Sequence, residues 1–492
     1  MPKTFFISTS IPYVNANPHI GHALEFVQAD VLARYRRQRG EDVFFLTGTD
    51  DNALKNVQAA EAAHVPVEEW VDEHAEVFKK LARELNISND DFIRTSKEKR
   101  HILGAQKLWL SCKKEDIYKK KYRGLYCVGC EVFKTEKELV KGECPEHPGK
   151  KLEEVEEENY FFRLSKYQSE LENLIESNKF KIIPESRRNE TLQFIKSGLQ
   201  DFSISRSRER AKNWGVEVPS DPSQIMYVWV DALSNYINAL GYAENDEKFK
   251  KYWEKGGEIV HVIGKDIIRF HTLYWPAMLL SAGVRLPGTV FAHGFLTVEG
   301  QKMSKTIGNV VNPLEVVQKY GTEPTRYYLL REVSPYEDGD FSIRKFEERY
   351  NADLANGLGN FTARVLTLAA DANIRINAND AKLENVVDEK IQETRKLVYQ
   401  KLEEFKFNEA LAAIWDLISF GDAYVNDKKP WDTAIVKDQR SKIILNLVII
   451  LDNVAALLKP FLPETAEKIT SAIAWEGDSL RAKKIGSLFP RL

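Results

Sequence analysis

The hydrophobic and polar positions fall into two regimes along the chain. Phe5-Phe6-Ile7-Ser8-Thr9 reads as a buried strand, and a Pro/Asn-rich loop follows from Pro12 to Pro18. A helix is predicted from His19 to about Arg39, with Leu24, Val27, Val31 and Leu32 on one face. Gly40 lies just past its end, where helices tend to stop. Val43-Phe44-Phe45-Leu46 is a second strand. A strand–helix–strand order predicts a parallel α/β sheet.

From about residue 116 to 225 the pattern changes. The stretch is rich in Lys and Glu, and its aromatic runs, such as Tyr160-Phe161-Phe162, suggest short strands. Glu153 to Glu158 is a short acidic run, read as a solvated face. Alternation resumes at Met226, with Ile259-Val260-His261-Val262-Ile263 as another buried strand. The sheet domain is thus split by an insertion. After about 340 the strand signals fade and amphipathic helices follow one another, which predicts an α-helical bundle. Ile443 to Leu458 is the most apolar stretch. Asn446 and Asp452 interrupt it, and Ile444, Leu447, Val448 and Leu451 recur at helical spacing, so it is predicted as a core helix and not a membrane span.

The expected organisation is therefore a first catalytic half at 1–115, an insertion at 116–225, a second catalytic half at 226–340 and a helical domain at 341–492. A chain of 492 residues is long enough for about three domains. Its 43% hydrophobic and 29% charged residues are ordinary for a globular protein. The net charge of −3 gives no sign of nucleic acid, so a polyanion would have to meet local basic surface. Residues 1–18 lack the basic and apolar regions of a secretory signal, which leads to an expectation of a cytoplasmic protein.

Three motifs carry chemistry. Pro18-His19-Ile20-Gly21-His22 follows a strand and loop and opens a helix, so His19 and His22 share one face of the first turn. The free N–H groups there favour phosphate, Gly21 allows close approach of a nucleotide, and two imidazoles can donate to phosphate oxygens in a transition state. Lys302-Met303-Ser304-Lys305-Thr306 sets two lysines on a short loop. Alone it would be an ordinary basic loop; beside the first motif it suits a triphosphate. Cys127-x2-Cys130 and Cys144-x2-His147, thirteen residues apart, form two close ligand pairs that suit one tetrahedral Zn²⁺. With all four positions filled by protein, a structural zinc is expected.

The His19–His22 and Lys302–Thr306 motifs together resemble the HIGH and KMSKS pair of class I aminoacyl-tRNA synthetases. Pro12-Tyr13-Val14-Asn15, Tyr227 to Ala232, Gly264-Lys265-Asp266, Phe270-His271, Trp275-Pro276-Ala277 and His293 to Val298 narrow the resemblance to the methionyl-tRNA synthetases, across nearly the whole chain. The resemblance implies a Rossmann-like catalytic domain and two steps: methionine attacks the ATP α-phosphate, giving methionyl-adenylate and pyrophosphate, and tRNA(Met) then takes the methionyl group. Catalysis is then positioning plus charge stabilisation, with Mg²⁺ accompanying ATP.

The resemblance also implies roles. His19, His22, Lys302 and Lys305 are the catalytic set, and His19, Gly21, His22, Gly264, Asp266 and Lys305 bind ATP. Asp50 receives the methionine ammonium, while Tyr13, Trp229, Tyr236, Ile267, Phe270 and His271 line the side-chain pocket. Tyr13 or His271 is a source for one polar contact to the thioether sulfur. Asn356, Asn360 and Arg364, spaced by four on one helical face, and Trp431 read the anticodon.

The chain departs from the family pattern at Thr306, usually Ser, at Leu233, Pro in some relatives, and at Asp50-Asp51-Asn52-Ala53, where bacterial-type relatives show Asp-Glu-His-Gly. The tRNA-binding dimerisation domain that some relatives append does not follow Leu492, so a monomer is expected. Competing readings are a class I synthetase for cysteine or leucine, a small nucleotidyltransferase and a non-catalytic tRNA-binding paralogue. The insertion is too short for a large editing domain. A nucleotidyltransferase would need neither the helical third nor the cysteine cluster. A paralogue would be expected to have lost the motif histidines or lysines, and all are present.

Overall fold

A computed structural model describes residues 2–130, 132–134, 136–145, 149–244, 246–303, 308–372, 383–476 and 479–492. The chain forms two compact units. The first holds residues 1–29, 39–83 and 87–293; the second holds 30–38, 84–86 and 294–492.

The core of the first unit is a six-stranded sheet. Its order is Asp91–Arg94, Asp42–Thr49, Thr4–Thr9, Glu258–Gly264, Thr289–His293 and Lys181–Ile183, and every neighbouring pair is parallel. The central strands are buried along nearly their whole length, as a sheet covered on both faces requires. Thr4–Thr9 pairs with the next strand in sequence on one side and with Glu258–Gly264 on the other. This is a switch point, where the carboxyl ends of parallel strands leave a crevice for ligand.

The predicted strands at 43–46 and 259–263 lie within observed strands Asp42–Thr49 and Glu258–Gly264. The helix expected from His19 runs from Ile20 to Gln38, and Gly40 follows with φ +79°.

Val132–Lys134, Ile117–Cys127, Glu153–Phe162 and Phe202–Ser203 form a separate antiparallel sheet in which Ile117–Cys127 pairs with Glu153–Phe162. The acidic run is thus a strand, in which Glu158 lies opposite Lys121 and Glu156 opposite Arg123 of the neighbouring strand. One strand of the main sheet, Lys181–Ile183, comes from within the 116–225 stretch.

In the second unit, Leu296–Val298 pairs with Gln301–Lys302 and with Gly339–Phe341. Helices follow: Ile343–Arg349, Asn360–Ala372, Asn385–Glu403, Phe407–Lys428, Lys437–Leu458 and Pro463–Ser471. A π-helical segment, Tyr350–Gly359, joins the first two, and a hairpin of Ile473–Glu476 with Ser479–Ala482 follows the last. The helix Lys437–Leu458 is long and apolar enough to cross a membrane by composition, yet 67% of its apolar window is buried in the protein. It is a core helix, as its heptad-like spacing predicts. A fully buried ion pair also sits in this unit: Arg326 Nη2 lies 2.7 Å from Asp30 Oδ2, both side chains at 0% exposure. Arg326 donates further to the carbonyls of Phe461, Leu85 and Pro460.

Candidate active site

The crevice at the switch point is built by the ends of Thr4–Thr9 and Glu258–Gly264. The loop after the first strand leads into His19 and the helix that starts at Ile20. The backbone N–H of Gly21 donates to His19 Nδ1 at 3.1 Å, and that of His19 donates to His22 Nδ1 at 3.0 Å. Each Nδ1 is an acceptor, so each ring carries its proton on Nε2. The rings stack 3.8 Å apart. Burial pushes the His19 imidazole down to about 4. Burial, with His19 and His293 nearby, holds His22 well below the ordinary histidine range. At neutral pH the motif therefore presents two uncharged Nε2–H donors at a helix start, the polarity that suits phosphate oxygens.

Behind the histidines lies a pair that motif spacing does not reveal. Glu25, one turn into the same helix, accepts from the Ser10 N–H at 2.7 Å and the Ser10 hydroxyl at 2.6 Å. Its other oxygen accepts from His293 Nε2 at 3.0 Å. Strand register sets His293 beside Gly264, at the carboxyl end of the sheet. A Cβ on Gly264 would come within 2.8 Å of Asp266 Oδ1, so the missing side chain lets this carboxylate fold back over the strand end. Glu25, His293, Gly264 and Asp266 thus share one end of the sheet with His22. The signal for Glu25 was its helical offset of three from His22; His293 needed the sheet register.

Beside this crevice is a small pocket lined by Ser10, Ile11, Asp50, Trp229, Ala232, Leu233, Tyr236, Ile267 and His271. Asp50 is 2% exposed at the end of Asp42–Thr49 and forms a parallel bridge with Tyr13. Trp229 and Tyr236 come from the helix Val228–Asn238. Phe270 stacks on Trp229 at 3.8 Å and 6°, and Tyr13 meets Trp229 edge-on. His271 Nδ1 lies 3.0 Å from the Ile267 carbonyl and must donate to it, so Nε2 accepts from the Tyr236 hydroxyl at 2.7 Å. Burial brings His271 down to about 4 and pushes the Tyr236 phenol up. The pocket is a neutral aromatic box with one carboxylate at its rim. Both His271 nitrogens are engaged within the protein.

Next to Asp50 the neighbouring residues have their own partners. Asp51, fully buried, pairs with Arg94 at 2.8 Å and accepts from Thr49 and Ser96. Burial raises its carboxyl, and Arg94 opposes that rise.

The sulfur atoms of Cys127, Cys130 and Cys144 lie within 4.8 Å of one another. None of the three is in a disulfide, and Cys130 and Cys144 sulfurs are 3.5 Å apart, far beyond a disulfide bond. Ligand sulfurs on one tetrahedral Zn²⁺ stand about 3.8 Å apart, given a Zn–S length of ~2.3 Å. Three thiols at this separation fit such an ion. His147, the predicted fourth ligand, lies outside the described residues.

In the second unit, the hairpin before Lys302 turns through Glu299 and Gly300, both at positive φ, and Asp340 caps the Gly300 N–H at 2.7 Å. Lys302 is exposed at the end of this hairpin. Ser304, Lys305 and Thr306 lie outside the described residues. Of the helical-face residues, Asn356 and Asn360 are exposed, with Asn356 in the π-helical segment and Asn360 opening the next helix. Asn356 accepts from Arg491. Arg364 lies 4.9 Å over the ring of Trp431, which is 50% exposed, and donates to Asn426 at 2.7 Å. Arg364 and Trp431 are thus one surface feature.

The family model for tRNA synthetases class I (M) matches residues 5–366, and that for the anticodon-binding domain of tRNA ligase matches 384–488. The chain is a class I tRNA synthetase by fold, crevice and sequence. It is 42% identical to the methionine–tRNA ligase of Caldanaerobacter subterraneus subsp. tengcongensis, covering 100% of this chain and 79% of that protein. It is also 42% identical to the methionine–tRNA ligase of Thermotoga maritima, covering 96% of this chain and 75% of that one. The structure of Mycobacterium tuberculosis methionyl-tRNA synthetase in complex with methionyl-adenylate superposes with a TM-score of 0.92 at 36% identity, over 99% of this chain and 100% of that one. The chain belongs to the methionine–tRNA ligase family.

Proposed function

We propose that the chain activates methionine with ATP to methionyl-adenylate and transfers the methionyl group to the 3′ end of tRNA(Met). The observation that carries this reading is the pairing of two neutral Nε2–H donors at a helix start with a closed aromatic pocket that ends in Asp50. No protein nucleophile is needed, because the methionine carboxylate itself attacks the α-phosphate. His19 and His22 donate to phosphate oxygens whose charge grows in the transition state, and Gly21 keeps the backbone close. Gly264 and Asp266 hold the ribose side of ATP. Lys302 and Lys305 neutralise the departing pyrophosphate, and Mg²⁺ accompanies the nucleotide.

In the amino-acid site, Asp50 takes the ammonium. Tyr13, Trp229, Tyr236, Ile267, Phe270 and His271 enclose the thioether. Selection rests on shape, since a thioether is a weak acceptor in a flexible chain. Asn356, Asn360, Arg364 and Trp431 form the anticodon face, with a stacking ring and a cation together. Cys127, Cys130, Cys144 and His147 hold one structural zinc. Residues 1–115 and 226–340 are the catalytic halves, 116–225 the insertion and 341–492 the anticodon domain. The protein acts in the cytoplasm as a monomer.

Amino-acid-dependent ATP–pyrophosphate exchange tests the reading, with methionine beside cysteine, leucine, isoleucine and valine. Strong exchange with methionine alone supports it. Exchange with another amino acid keeps the class and replaces the substrate; no exchange with any favours a tRNA-binding protein without catalysis.

A further inference from the structure

The amino-acid site must hold two features in register: a carboxylate for the ammonium and an aromatic wall for the side chain. They come from separate parts of the fold. Asp50 ends the strand Asp42–Thr49, while Trp229, Ala232 and Tyr236 ride on Val228–Asn238. One buried chain of hydrogen bonds joins them. The Asn52 N–H donates to Asp50 Oδ1 at 3.0 Å. The Asn52 side-chain amide donates to Asp231 Oδ2 at 2.6 Å. The other oxygen of Asp231 accepts from His101 Nε2.

Asn52 is 8% exposed, Asp231 1% and His101 0%. Asp231 sits in the first turn of the helix that carries the wall, between Trp229 and Ala232. His101 belongs to the helix Lys99–Ser111, which lies close against Val228–Asn238 because Gly104 has no side chain: a Cβ there would come within 1.9 Å of Asn238 Oδ1. His101 fixes Asp231, Asp231 fixes the Asn52 amide, and the Asn52 backbone fixes Asp50.

We propose that Asn52, braced by Asp231 and His101, is a positioning residue for methionine selection: it sets the separation between the ammonium-binding carboxylate and the aromatic wall. This rests on the reading of Asp50 as the ammonium acceptor. An amide is suited to the task, since it donates to Asp231 and adds no charge. A carboxylate at the same place would oppose Asp231 in a buried site. A histidine at this position would also have an N–H to donate.

The test is steady-state ATP–pyrophosphate exchange with methionine and ATP varied separately, on wild type, Asn52→Ala, Asn52→His, Asn52→Asp, Asp231→Asn, the Asn52→Ala/Asp231→Asn double variant and Asp50→Asn. Thermal melts confirm that each variant is folded. Asn52→Ala is expected to raise the methionine KM about tenfold, with kcat and the ATP KM within about twofold. Asn52→His should restore most of the methionine KM, and Asn52→Asp should not. The double variant should be little worse than either single one, as for residues in one chain of contacts. Equal shifts in both KM values, a fall in kcat alone, or Asn52→Asp behaving as wild type would overturn the proposal. If Asp50→Asn raises the methionine KM while Asn52→Ala does not, only this inference fails. If Asp50→Asn leaves it unchanged, the ammonium assignment fails and takes this inference with it.

Discussion

Tyr236 donates its hydroxyl proton to Nε2 of His271 at 2.7 Å, and both side chains are buried in the wall of the amino-acid pocket. The bond uses the last free valence of a neutral imidazole, so the wall has an apolar face and a fixed shape. Tyr236→Phe would leave Nε2 buried without its donor. The expected cost is roughly 1–3 kcal/mol in stability. Exchange assays should show a higher methionine KM and an unchanged ATP KM.

Acid should weaken the fold through the histidines. His271 and His19 both fall to about 4 from the ordinary histidine value of 6.5 because burial disfavours the charged ring. A histidine with a lowered folded pKa binds its proton mainly in the unfolded chain. Its stabilisation is full above pH 6.5 and is lost as pH falls toward 4. Thermal melts between pH 7.5 and 4 should show a falling midpoint in that window. For His271, fully enclosed, the contribution is on the order of 3 kcal/mol. His271→Asn should flatten the acid limb; an unchanged pH profile in that variant would count against the assignment.

The buried pair Asp30–Arg326 makes a one-sided substitution costly. Arg326→Met would remove one of the cations that Asp30 meets at 0% exposure, leaving Arg34 beside it, and would take the donor from three backbone carbonyls. A loss of about 3–5 kcal/mol is expected, read as a lower denaturant midpoint.

Metal analysis of purified protein should find about one zinc per chain. Cys144→Ser, at a fully buried ligand position, should lower zinc occupancy and the unfolding temperature together. Zinc content near zero in the wild-type protein would remove the structural-zinc reading.

Trp431→Ala should weaken tRNA binding by about 1–3 kcal/mol and leave methionine-dependent exchange unchanged. Arg364 sits 4.9 Å over that ring, so Arg364→Ala should weaken tRNA binding too, and the two changes should be less than additive. Filter binding with tRNA(Met) reads both.

The sequence made the main elements legible where one physical signal dominated. Runs such as Val43 to Leu46 and Ile259 to Ile263 are apolar along their length because the parallel sheet is covered on both faces. The helix start at Ile20 was marked by its histidines and by Gly40 at the far end. Lys181–Ile183 escaped notice because three residues carry no periodicity, and it lies at the sheet edge inside a polar stretch. The π-helical turn at Tyr350–Gly359 was read as ordinary helix, since composition does not report which carbonyl an N–H reaches. In the site, motif residues were found by spacing. Glu25 with His293, and Asn52 with Asp231 and His101, were not, because only the fold brings residues so distant in sequence into contact.

The first strand has to wait for its partner. Phe5 pairs with Glu258 and Thr9 with Val262, so one wall of the crevice is made early in synthesis and the other more than 250 residues later. At ~5–20 residues per second, a ribosome needs roughly 13–50 s to deliver the second strand. Throughout that interval Thr4–Thr9 has a sheet neighbour on one side only, and its other edge is open to any strand that reaches it first. The nascent chain thus carries an open strand edge for that interval at the place where the finished enzyme does its chemistry, and a chaperone that shields the amino-terminal segment would be expected to raise the yield of folded protein.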